Sequence, residues 1–293
     1  MIPEHVMHEL RYIEVYTAKK IRNQRVGVYQ SPLRGAGFDF DEHQPYRPGD
    51  DVRRIDWNVT ARMGAPYVRL THAERELNVM IVIDASRSML QGSAGYSKKE
   101  AMTFITASIL FSALSDQINA GFCAFSDRLL VHTPPRRTRA SAWSILEECW
   151  TLAPRAKRTL MIPVVQHLLT TLKRMTIIFF VSDFVTDDNV LESGELAQLA
   201  VRHDLIAVVP EDATEARLPG GGGYLRVRDL ETGKRATIGL GRAARAKYAQ
   251  AMGRRREELA RAFYRVPMDH VFVPTNEGPV LPVLSLFAAR KMA

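Results

Sequence analysis

The sequence is poor in several things, and each absence removes a class of protein. Cysteine occurs twice in 293 residues, as Cys123 and Cys149. Two thiols cannot build a disulfide framework, so the fold has to rest on a hydrophobic core, and buried free thiols in a reducing compartment are expected. No apolar run approaches the ~18 residues of a membrane-spanning helix. The first residues, Met1-Ile2-Pro3-Glu4-His5, show no basic region followed by an apolar core. A secretory signal is therefore not read, and a cytoplasmic location is expected. There is no Gly-x-x-x-x-Gly-Lys loop to cradle phosphates and no His-Glu-x-x-His to hold zinc. The eight histidines are scattered without ligand spacing. Repeats and low-complexity tracts are also missing.

What remains is an ordinary globular composition, 46% hydrophobic and 25% charged, in a chain long enough for one large or two modest domains. The net charge of +8 is local: from Lys234 to Arg265 there are ten Lys/Arg against two Asp/Glu, an excess equal to that of the whole chain. Within that window a helix is expected from about 241 to 265. Tyr248, Met252, Leu259, Phe263 and Val266 fall on one stripe, and most of the arginines lie off it. A solvated basic face is the plain reading, and an acidic protein surface is the partner it would suit. Nucleic acid is not favoured, because no interleaved aromatic platform accompanies the arginines.

Residues 1–30 offer Tyr12, Val15, Tyr16 and Ile21 as one helical face. Residues 31–76 are turn-rich, with Pro48-Gly49-Asp50 marking a tight turn. There Asp50, Asp51 and Asp56 alternate with Arg47, Arg53, Arg54 and Arg62, which predicts charge-assisted pairing, either as an internal brace or as a docking surface. From residue 77 strands alternate with helices. Val79-Met80-Ile81-Val82-Ile83 and Ile177-Ile178-Phe179-Phe180-Val181 are continuous apolar runs, as strands buried on both faces require. Further strands are expected at 119–125, 128–132, 205–209 and 271–273. Ser97-Lys98-Lys99-Glu100 is a capping box opening an all-round apolar helix at about 98–115. Other helices are expected near 139–150, from Thr159 with Pro163 in its first turn, near 194–203, and at about 279–291. Residues 224–239 suggest a hairpin with its turn at Glu231-Thr232-Gly233. The pattern predicts an α/β protein with a doubly wound, mostly parallel sheet over 77–293, a hairpin insertion near 220–240, and a smaller N-terminal segment, 1–76, rich in turns and strands.

Chemistry concentrates where the buried strands end. The first runs into Asp84-Ala85-Ser86-Arg87-Ser88, one carboxylate and two hydroxyls at alternate positions. The second runs into Ser182-Asp183. Open α/β sheets place ligands at the carboxyl ends of their strands. Asp84, Ser86, Ser88, Thr159 and Asp183 can therefore converge as oxygen ligands for Mg²⁺, or Mn²⁺, with water completing the shell. Such a site would keep an open position for an outside carboxylate. Helix capping by the same hydroxyls is the alternative. A phosphohydrolase using the same metal is a second functional possibility. An aspartyl-nucleophile phosphotransferase would want an acid where Ser86 stands.

Asp84-Ala85-Ser86-Arg87-Ser88, Thr159 and Ser182-Asp183 resemble the metal-ion-dependent adhesion site of the von Willebrand factor A fold. The stretch from Gly35 to Asp39 and on through Tyr46-Arg47-Pro48-Gly49-Asp50-Asp51-Val52-Arg53-Arg54-Ile55-Asp56-Trp57 resembles the signature of the bacterial domain-of-unknown-function family 58. Both motifs stand in the order of that family, and the resemblance spans nearly the whole chain. It implies a von Willebrand factor A-like domain with a metal on top; that the protein is not an enzyme is expected from the missing catalytic motifs. It further implies a MoxR-type AAA+ ATPase as partner, with a client protein bearing acidic residues.

Overall fold

In a computed structural model of the chain, residues 2–23, 34–35, 39–72, 77–90, 92, 95–153, 158–212, 215, 217–228, 233–276, 278–283 and 285 are described. The chain divides into two compact units, one of Gly27–Glu76 and one of Met1–Val26 with Leu77–Ala293. The sequence reading divides the chain at 76/77; helix α1 (Glu4–Asn23) falls in the larger unit. Its buried stripe is different from the one expected. Val6, Leu10, Ile13 and Thr17 are buried at helical spacing, whereas Tyr12 and Val15 are more than half exposed. Tyr12 and Tyr16 stack on each other, ring centroids 5.8 Å apart.

The smaller unit holds a three-stranded antiparallel sheet of β1 (Arg34–Gly35), β2 (Asp39–Pro45) and β3 (Tyr67–His72), with β3 in the middle, and a short helix α2 (Trp57–Met63). The Pro48-Gly49 turn forms as expected. The Asp50 amide donates to the Arg47 carbonyl at 3.0 Å, and Gly49 takes φ +109°, which only glycine adopts freely. The expected Asp–Arg pairing is not found among the described residues. Asp50 accepts from the Arg47 amide, Asp51 from the Arg53 amide, and Asp56 caps α2 by accepting from the amides of Asn58 and Val59. Short carboxylates reach nearby backbone amides at lower entropic cost than they order a long arginine. Asp56 also meets His43 Nε2 at 3.0 Å. Residues 31–33 and 36–38 of the turn-rich stretch lie outside the described residues.

The larger unit is built on a six-stranded sheet. In chain order its elements are β4 (Asn78–Asp84), α3 (Lys98–Ser115), β5 (Asn119–Phe125), β6 (Leu129–Arg136), α4 (Arg139–Thr151), α5 (Ile162–Thr171), β7 (Thr176–Val181), α6 (Gly194–Arg202), β8 (Asp204–Glu211), a separate hairpin of β9 (Tyr224–Arg228) and β10 (Arg235–Gly239), α7 (Arg242–Arg265) and β11 (Asp269–Pro274). The spatial order is β11-β8-β7-β4-β5-β6. All neighbours run parallel except β5 and β6. The expected doubly wound α/β architecture is therefore present. The chain enters at β4, builds outward through β5 and β6, then returns to the other side of β4 with β7. That reversal makes the carboxyl edge between β4 and β7 the topological switch point, where such sheets open a crevice.

Residue parity sorts the core into two layers although the strand sequences are continuously apolar. Val79, Ile81 and Ile83 with Phe179 and Val181 pack with residues of α1, α3 and α4. Met80, Val82, Ile178 and Phe180 pack with α5, α6 and Phe263 of α7. Helix α3 opens on the expected capping box: the Glu100 amide donates to Ser97 Oγ at 3.2 Å and the Ser97 amide to Glu100 Oε2 at 2.8 Å. It is buried nearly all round, and Thr103, Thr106 and Ser108 satisfy their hydroxyls on carbonyls one turn back. Both cysteines are buried free thiols. Burial pushes Cys123 up to about 12 and Cys149 up to about 11, so neither supplies thiolate near neutrality. The hairpin forms with Arg235 opposite Arg228. Residues 231 and 232 of its expected turn, and most of the expected last helix beyond a helical stretch at 280–283, lie outside the described residues. Among the described residues no helix is long and apolar enough to cross a membrane.

Candidate functional site

The register of β4 against β7 pairs Ile83 with Val181. The next residues, Asp84 and Ser182, therefore leave the sheet level with each other. Both are fully buried, and Ser182 Oγ donates to Asp84 Oδ2 at 2.8 Å. The other oxygen, Oδ1, accepts the Ser86 amide at 2.8 Å, which turns the loop back beneath the carboxylate. That turn brings Ser86 Oγ and Ser88 Oγ to 2.9 Å of each other. On the opposite side Ser182 Oγ accepts the Phe184 amide at 2.9 Å, and Asp183 Oδ1 accepts the Val185 amide at 3.1 Å. Phe184 takes φ +53°, a conformation that a bulky residue adopts only when its surroundings impose it.

Thr159 reaches the same edge by a different route. The Leu160 amide donates to the Ser126 carbonyl just beyond β5 at 2.7 Å. Thr159 and Asp187 exchange two bonds: the Thr159 amide donates to Asp187 Oδ2 at 2.9 Å, and the Asp187 amide to the Thr159 carbonyl at 2.8 Å. Thr159 is buried but does not open a helix as expected; α5 starts at Ile162, with Met161 as a cap that makes no side-chain bond. Pro163 sits in its first turn, where a missing amide costs nothing. Asp84, Ser86 and Ser88 thus share one loop, Asp183 faces them across the switch point, and Thr159 stands on the loop next to Ser126.

Burial and the charge of Asp183 together push the Asp84 carboxyl up to about 7, against the lowering effect of its bonds from Ser86 and Ser182. Two like-charged groups in one desolvated crevice call for a cation. One is built in. Lys98 follows Ser97 at the start of α3 and is completely buried. Its Nζ lies 3.3 Å from Asp183 Oδ2 and 2.7 Å from Glu215 Oε2. Lys98 was read from the sequence only as part of a cap; no local pattern marks it, because its partners lie far along the chain. Tyr248 Oη donates to the Glu215 carbonyl at 3.1 Å, and Arg255 Nη2 to the Asp183 carbonyl at 3.5 Å, so α7 flanks the site.

Lys98 answers Asp183 and Glu215 and leaves Asp84 without an ionic partner among the described residues. Among those residues no three His, Cys, Asp or Glu side chains gather as a metal cluster. A cation here would depend on Asp84 together with hydroxyl and water oxygens, which is a donor set of the kind Mg²⁺ and Mn²⁺ take. The acidic and hydroxyl residues fit such an ion chemically.

Sheet order and register define an α/β domain with a loop cluster at its switch point as the candidate site. The chain belongs to the family described as "Protein of unknown function DUF58", which matches residues 42–258. It is 29% identical over 284 residues to the uncharacterized proteins Mb1516 of Mycobacterium bovis and Rv1480 of Mycobacterium tuberculosis, covering 96% of this chain and 89% of each relative. Among solved structures it is similar to the conserved hypothetical protein BatB from Bacteroides thetaiotaomicron, with 16% identity, 74% of this chain and 98% of that one covered, and a TM-score of 0.48. It is also similar to a von Willebrand factor type A structure from Catenulispora acidiphila, with 15% identity, 63% and 44% covered, and a TM-score of 0.35.

Proposed function

We propose that this protein is a divalent-cation-dependent protein-binding module. The observation that carries the reading is the buried Asp84 carboxyl, raised by its surroundings and by Asp183, beside the adjacent hydroxyls of Ser86 and Ser88. Asp84, Ser86 and Ser88 would hold Mg²⁺ or Mn²⁺, and Thr159 and Asp183 would complete its surroundings. When bound, the ion supplies a residual positive charge open to an outside carboxylate. The protein's own part is positional. Ser182 and the Ser86 amide orient Asp84, while Lys98 neutralises Asp183, so the residual charge of the ion is not cancelled from within. A carboxylate of an acidic client is the ligand such a site would take. Following the resemblance set out above, the module would act as an adaptor for a MoxR-type AAA+ ATPase that assembles or remodels protein complexes.

Binding is favoured over hydrolysis because the one hydroxyl that donates to a carboxylate there, Ser182 on Asp84, is fully buried and serves to orient Asp84. The test is capture of the ATPase on the purified protein with Mg²⁺, with chelator, and with Asp84→Ala. Capture lost in the last two supports the reading. Capture indifferent to both removes the metal from it. Phosphatase turnover above the Asp84→Ala control would favour the hydrolytic alternative instead.

A further inference from the structure

Among the described residues the β9–β10 hairpin is a sheet of two strands, a form that is marginal by itself. The Leu240 amide donates to the Gly223 carbonyl at 2.8 Å, which marks Gly223 and Leu240 as a hydrogen-bonded pair. Pairs alternate in an antiparallel ladder. Leu225 with Ile238 and Val227 with Ala236 therefore bond inward, and Tyr224, Arg226, Arg228, Arg235 and Thr237 turn their backbone groups outward to free edges. These same residues share one face, since side chains alternate along a strand. The face is exposed: Tyr224 is 83% accessible, and the register sets Arg228 directly opposite Arg235. Like charges facing across a ladder destabilise it. Arg226, Arg228 and Arg235 have no ionic partner among the described residues. The opposite face, with Leu225, Val227 and Ile238, is half-buried.

We propose that this hairpin is a docking edge for an acidic polypeptide segment, which joins it as an extended third strand with its carboxylates facing Arg226, Arg228 and Arg235. An extended chain places alternate side chains about 6.8 Å apart, the spacing of Arg226 and Arg228 along β9. Backbone hydrogen bonding along the edge supplies affinity, and the arginines select for acid. A nucleic acid can answer the charge but not the edge, which makes polypeptide the occupant. The second strand of the hairpin, β10, opens the segment that carries the whole positive excess of the chain. This surface does not depend on the cation proposed above, and its test leaves Asp84 out.

The probe is a fluorescein-labelled octapeptide of alternating Glu and Val, measured by anisotropy at low salt against full-length protein. Alternating Lys and Val, and octathymidylate, serve as comparisons. All measurements are made in chelator, so that no cation at the Asp84 loop takes part, and the acidic peptide should bind. Arg228→Glu/Arg235→Glu should weaken it at least tenfold, and Arg136→Glu/Arg202→Glu, an equal charge change elsewhere, far less. Tyr224→Pro removes an outward amide from the β9 edge and leaves every arginine, and it should also weaken binding at least tenfold. Arg228→Glu alone sets opposite charges across the ladder, so it keeps the hairpin formed while removing part of the face; it should still bind less. The proposal is overturned if the acidic peptide does not bind in chelator, if octathymidylate binds as well, or if Tyr224→Pro binds like wild type.

Discussion

Lys98→Met is the sharpest test of how the crevice is held. The wild-type ammonium is completely buried and stands 2.7 Å from Glu215 Oε2 and 3.3 Å from Asp183 Oδ2. Methionine fills a similar volume but leaves both carboxylates unanswered. Removing one member of a buried pair costs about 3–5 kcal/mol, mostly because the other charge is stranded. Glu215 keeps 35% of its side chain accessible and can rehydrate, while Asp183 keeps only 10%. The lower end of that range, about 3 kcal/mol, is therefore expected. At roughly 2–4 °C per kcal/mol for a domain of this size, the melting temperature in chelator should fall by about 6–12 °C. The informative comparison is the same melt with Mg²⁺. If a divalent ion binds beside Asp84, the variant should gain more from Mg²⁺ than wild type does, because the ion replaces the missing positive charge. Glu215→Gln should cost less than about 1 kcal/mol, as partly exposed pairs do. A fall in melting temperature below about 3 °C for Lys98→Met would refute the counter-charge argument. Equal Mg²⁺ responses would refute its link to the metal.

Two further perturbations probe the same framework. Asp84 binds its proton more tightly folded than unfolded, so without metal the stability of the protein falls as pH rises from about 4 to about 7. Asp84→Asn should remove that slope, stabilising the metal-free protein at pH 8 relative to pH 5 by up to a few kcal/mol, and should abolish any stabilisation by Mg²⁺; denaturant melts at the two pH values measure both. Gly121→Ala in β5 would place a methyl 2.9 Å from Met80 Cε, the Pro135 nitrogen and the Thr133 carbonyl oxygen. Two of those neighbours are backbone of the edge strand β6, so β6 must shift against β5, and a cost of about 1–3 kcal/mol is expected in urea unfolding.

The parts of the fold that were legible in the sequence are those set by local chemistry. The apolar runs at β4 and β7, the capping box at Ser97 and Glu100, the Pro48-Gly49 turn and the helix-strand alternation each depend on neighbours within a few residues. The misreadings have non-local causes. Tyr12 and Val15 are apolar enough to mark a buried face, yet the stripe through Val6, Leu10 and Ile13 is the one that packs with α3 and α4, in the larger unit. Asp50, Asp51 and Asp56 were matched to arginines by charge, but nearby amides take them first. Thr159 was read as a helix start; its amide instead bonds to Asp187, on the loop after β7.

By itself the sequence determined the carboxylate and hydroxyls of the Asp84 loop, the buried strands that carry them, the doubly wound sheet and the segment holding the excess charge. All of these follow from side-chain period, turn chemistry and composition. Tertiary structure alone decided that Ile83 stands level with Val181, so that Ser182 holds Asp84. It alone decided that Lys98, indistinguishable in sequence from its neighbour Lys99, is the buried cation between Asp183 and Glu215. The reason is physical: register and burial are properties of chains meeting across the sheet, and no residue carries them before its distant partners arrive.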